Sequence, residues 1–164
     1  MVGIDSLGHL ARRFFGSLSR RPPDPSDEAW AIAHLLPSEQ PIWSAMAAPD
    51  QRHAVEVARR LVVDLGPDAP RPVVAAALLH DCGKNEAGLG TVGRVAATLW
   101  IAFVGRARAA RGDGRVARYC RHEPIGAARL AAAGSDPVTV ALVGGRPDAP
   151  AATLAALRAA DDSI

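Results

Sequence analysis

Apolar side chains recur along this chain at intervals of three and four, the spacing that gathers them on one face of an α-helix, and nowhere do they alternate with polar ones as a half-buried strand would require. The first stripe, Leu7, Leu10, Phe14 and Leu18, predicts an amphipathic helix over residues 4–18 with Arg12 and Arg13 beside it. Packing on the domain or on a second copy of the chain, as a homodimer, is its expected use; lying on a membrane surface is the alternative. Residues 20–25 break the pattern. Ser26, followed by Asp27 and Glu28, predicts the N-cap of a helix that ends before Pro37, and Ser38 can cap the next. Asp50 should cap a longer helix running to about Leu65, where Gly66 and Pro67 stop it. Residues 72–79 include no polar side chain, so this helix should be the most buried, ending at His80, Asp81 and Gly83. Further helices are predicted over 91–111, 116–121, 124–133, 137–143 and 151–163. The expected class is all-α.

The chain's 164 residues suit one domain with a real core. A formal net charge of +2 is too small to predict a nucleic-acid-binding surface. Two cysteines, Cys82 and Cys120, are too few for a disulfide framework, and no apolar leader opens the chain, which points to a reducing cytoplasm. The most apolar run, 95–104, has about half the length a membrane span needs, so no span is expected.

Helical spacing separates some polar residues from the solvated faces. His53 falls on the stripe of Val57 and Leu61, away from Arg52, Glu56 and Arg60. Asp161 falls with Leu154 and Leu157, whereas Asp162, four after Arg158, has an outward ion-pair partner. His80 and Asp81 end the apolar helix, where a desolvated carboxylate is costly unless a cation meets it. One inward histidine is usually a hydrogen-bonded core residue. Two imidazoles and two carboxylates converging from separate helices instead suit a divalent ion such as Mn2+, Fe2+, Mg2+ or Zn2+. Lys84, the sole lysine, follows at once; it is placed to meet a phosphate, with a helix-dipole role as the plainer reading. Arg52 and Arg146 are weaker substrate-binding candidates, and His9 and His34 read as structural or solvent-facing. Gly88, Gly90 and Gly93 spell G-x-G-x-x-G with Asp113 twenty residues on, yet no strand leads into the first glycine, so a dinucleotide site is not expected.

His53, then His80-Asp81-Cys82-Gly83-Lys84, then Asp161 resembles the H…HD…D signature of the HD superfamily, in its HDxGK form. The resemblance covers residues 50–164 and leaves 1–49 as an N-terminal helical extension. It implies a helical bundle in which these histidines and aspartates bind one or two divalent metals and hydrolyse phosphate esters, commonly of nucleotides. His122-Glu123-Pro124-Ile125-Gly126-Ala127 is similar to the H-x-x-x-G-A segment that contributes to a second ion in two-metal members. Those members usually carry another histidine further on, where this chain reads Val143-Gly144-Gly145-Arg146-Pro147. Asp81 is the expected residue for orienting the attacking water, and Lys84 for contacting the phosphate. Two rivals remain: a di-iron oxygenase of the same superfamily, against which the missing histidine argues, and a non-catalytic module that senses a nucleotide. Metal content with a phosphatase panel separates the three.

Overall fold

The computed structural model describes residues 21–164, apart from the side chains at 91, 92, 94, 95, 99, 102 and 106. The helix expected over 4–18, and His9 with it, lies outside the described residues. Ten α-helices and one 3-10 turn follow, with no strand among the described residues. They are α1 (Pro25–Ala33), α2 (Gln40–Ser44), α3 (Ala48–Leu65), α4 (Arg71–Leu79), the 3-10 turn Cys82–Ala87, α5 (Thr91–Val104), α6 (Arg106–Ala109), α7 (Arg115–Cys120), α8 (His122–Ala132), α9 (Pro137–Val143) and α10 (Ala151–Ser163). The protein is all-α, as its apolar spacing predicts.

Helix α4 is the axis of the fold. Every residue from Val73 to Leu79 is buried, and α3 and α9 pack against it. Helix α10 lies on α3, while the 3-10 turn that continues α4 is pressed against α7 and α8. The core also takes in Ala31, Leu35, Ile42, Trp43 and Met46, so residues of α1, α2 and their loops share one apolar interior with α3 and α4. A buried polar tie joins α9 to α4, where Thr139 Oγ1 donates to the Pro72 carbonyl at 2.9 Å. No helix among the described residues is long and apolar enough to cross a membrane.

Several predicted starts shift, because proline takes the first turn where a polar cap was expected. Helix α1 opens at Pro25 after Asp24, so Ser26 lies inside it; α2 follows Glu39, not Ser38; and α3 opens at Ala48 with Pro49 and Asp50 already in its first turn. The helix expected over 91–111 is broken at Gly105, whose φ of 84° is left-handed and ends α5. Gly66, at φ 94°, closes α3 where it was expected to. Asp136 does cap α9: its side chain accepts from the Val138 N–H at 2.8 Å. Asp136→Ala should therefore cost about 1 kcal/mol, read as a lower denaturation midpoint with an unchanged slope.

Candidate metal centre

Three elements bring the predicted residues together. Helix α3 supplies His53, the end of α4 supplies His80 and Asp81, and α10 supplies Asp161. Ligand-type atoms of His53, His80 and Asp81 all lie within 4.8 Å of one another, so this group could hold a metal ion. Asp161 joins it, with Oδ1 2.7 Å from His53 Nε2 and 3.7 Å from His80 Nε2. His122, first residue of α8, comes in from the other side with Nε2 3.6 Å from Asp81 Oδ1.

The histidine tautomers follow from their backbone contacts. His80 Nδ1 donates to the Ala77 carbonyl at 2.8 Å and His122 Nδ1 to the Tyr119 carbonyl at 2.9 Å. Each ring thereby turns Nε2 toward the carboxylates, the orientation metal-ligating histidines take. His80 Nε2 is buried and makes no hydrogen bond. It faces Asp81 Oδ2 at 3.5 Å and Asp161 Oδ1 at 3.7 Å. Two carboxylate oxygens set about one ring nitrogen call for positive charge among them, from a proton on the ring or from a metal ion.

Asp81 is the hub and is only 3% exposed. Burial by itself would push its carboxyl up, but His80, Lys84 and His122 together hold it well below the usual carboxylate range. Lys84 Nζ bonds Asp81 Oδ2 directly. Burial would pull the ammonium down; Asp81 above all keeps it above the ordinary lysine value. The Asp161 carboxyl, which burial would also raise, is held down by the hydrogen bond from His53 and by His80. Burial pulls the His122 imidazole below its ordinary value, with Asp81 opposing. Cys82 faces the core, and burial pushes its thiol up to about 12, so it is a packing residue and not a nucleophile.

Glycines explain how the turn fits. A Cβ on Gly83 would lie 2.0 Å from the His122 carbonyl oxygen, and one on Gly126 would lie 3.0 Å from Cys82 Sγ. Backbone meets backbone here, which is how Asp81 and His122 become neighbours.

The site opens into a cavity of about 340 Å³, with His80, Asp81, Lys84, His122 and Asp161 at its polar end. Ile101, Leu142, Leu154 and Leu157 are on its apolar wall. Arg52 and Arg146 are not brought to this cavity. The Arg52 guanidinium turns to the Arg21 carbonyl, beside a separate hollow under residues 21–27, and Arg146 pairs with Asp148 at 3.0 Å on the surface. The outward Arg158–Asp162 pair does not form: Arg158 lines the cavity instead, over Gly145 and beside Glu123. Helix periodicity put Arg158 on the solvated face; its neighbourhood to Asp161, three residues on, was the available signal. His34 is structural, its Nδ1 donating to the Trp30 carbonyl at 2.8 Å. Gly88 closes the 3-10 turn in a left-handed conformation and Gly90 precedes α5, so a 3-10 turn and not a strand leads into the glycine-rich segment. No protein-family model, curated protein or solved structure matches the chain.

Proposed function

We propose that this protein is a metal-dependent phosphohydrolase that acts on a small phosphate ester, a nucleotide or related phosphorylated metabolite. The observation that carries the reading is His80 Nε2, a buried ring nitrogen with no hydrogen bond, set between Asp81 and Asp161 with His53 alongside. A divalent ion satisfies all four donors at once, and mixed imidazole and carboxylate ligation suits Mn2+, Fe2+, Zn2+ or Mg2+. The resemblance of His53, His80-Asp81 and Asp161 to the HD signature supports the same reading from the sequence.

When bound, such an ion supplies Lewis acidity toward a phosphoryl oxygen and lowers the pKa of water near it from about 16 towards 7. The chain's own groups do the rest. Asp81 is held ionised and accepts the hydrogen bond that orients a water. Lys84 fixes that carboxylate and lends it a compact positive charge on the cavity side. His122 Nε2, 3.6 Å from Asp81 Oδ1, offers a further acceptor at the same end of the cavity. The apolar wall excludes water from the body of the substrate, and a cavity of about 340 Å³ has room for one of metabolite size.

The test is elemental analysis of the purified protein, then a phosphoester library screened after chelation and after reloading with each divalent ion. At least one ion per chain is expected, with hydrolysis lost on chelation and restored by one of the ions. A protein that retains no metal, or hydrolysis indifferent to the chelator, would refute the reading.

A further inference from the structure

Arg158 is a cation that the metal site does not use. It stands on α10 one turn before Asp161, and both residues line the cavity. Its side chain is exposed to the cavity, and among the described residues it makes no ion pair or hydrogen bond. Lys84, the other cavity cation among the described residues, is bound to Asp81. Arg158 is held over backbone: a Cβ on Gly145 would come 3.0 Å from its Nη2 and 3.2 Å from Glu123 Oε2. Gly145 has no such atom, and its φ of 56° disfavours any residue that would add one. The glycine therefore leaves the guanidinium room in the cavity wall.

Charge decides what that guanidinium is for. Asp81, Asp161 and Glu123 bring carboxylates to the cavity and Lys84 an ammonium bound to Asp81. A divalent ion would offset two of the negative charges. Arg158 adds a positive charge toward a phosphate dianion, and its planar fork matches phosphate oxygens in pairs.

Building on the phosphoester reading above, we infer that Arg158 is the phosphate-gripping residue of this site, clasping the ester's anionic oxygens from the α10 side. It is a substrate-binding residue and not a metal ligand. Inorganic phosphate, the product when a phosphomonoester is hydrolysed, is the probe that isolates this contact.

The experiment titrates inorganic phosphate calorimetrically into metal-loaded wild type, Arg158→Ala, Arg158→Lys and Arg146→Ala, with metal content measured in each. Arg158→Ala should keep its metal and bind phosphate at least about tenfold more weakly, the loss of a charge-assisted contact. Arg158→Lys should recover part of the loss, and Arg146→Ala should bind as wild type does. Equal phosphate affinity in wild type and Arg158→Ala would overturn the inference while leaving the phosphohydrolase reading in place. A metal-loaded wild type that binds no phosphate would sink both.

Discussion

Gly83→Ala should disable this protein more thoroughly than its size suggests, lowering stability by about 3 kcal/mol and dismantling the candidate metal centre with it. The added methyl would lie 2.0 Å from the His122 carbonyl oxygen, 2.8 Å from the His122 carbonyl carbon and 2.8 Å from the Gly126 nitrogen. All three are backbone atoms, so no side-chain rotation relieves the clash. Either the turn after Asp81 or the start of α8 must move. The turn is tied to Asp81 and α8 carries His122, so the 3.6 Å approach of His122 Nε2 to Asp81 Oδ1 cannot survive the shift. Gly114→Ala is the control, because nothing lies within 4 Å of a Cβ there and its φ of −66° suits any residue. Thermal melts and metal titrations of the two variants decide the matter. Similar melting points and similar metal affinities would show that the glycine contact does not shape the site.

The same contact shows what the sequence could and could not reveal. Helical class was legible because burial is one-sided: the stripe of Val57 and Leu61 predicted that His53 turns inward, and an unbroken apolar run predicted that α4 is the core. The starts of α9 and α10 were legible too, since Asp136 before Pro137 and Pro150 before Ala151 mark starts that packing does not override. His53, His80, Asp81 and Asp161 could be gathered from helix faces and adjacency alone. What periodicity cannot encode is the angle at which elements meet. Arg52 precedes His53 and Arg146 sits in the loop after α9, yet their side chains find the Arg21 carbonyl and Asp148. Arg158 was assigned outward by the same wheel that correctly turned Asp161 inward, because the wheel has no term for a cavity that opens beside α10. The break at Gly105 was missed for a related reason: a glycine inside a long apolar run is compatible with a continuous helix until its backbone turns left-handed.

Neighbouring aspartates on α10 provide the second large effect, since Asp161→Ala and Asp162→Ala remove the same group one residue apart and should behave oppositely. Asp161 Oδ1 is 2.7 Å from His53 Nε2 and 3.7 Å from His80 Nε2, while Asp162 is exposed and lines no part of the cavity. Removing Asp161 takes away one donor of the proposed shell and also the partner that orients His53. Its metal affinity should fall by more than the roughly 10–100-fold that follows loss of an outer partner of a ligand. Hydrolysis at limiting metal should fall with it. Without metal, the stability of Asp161→Ala should stay within about 1 kcal/mol of wild type, because the His53–Asp161 pair is partly open to water. Asp162→Ala should stay within about 0.5 kcal/mol of wild type and bind metal normally. Dialysis to equilibrium at fixed free metal, followed by elemental analysis of each protein, measures the difference directly. The two variants retaining the same fraction of metal would mean that α10 contributes no ligand, leaving His53, His80 and Asp81 to hold the ion from α3 and α4 alone.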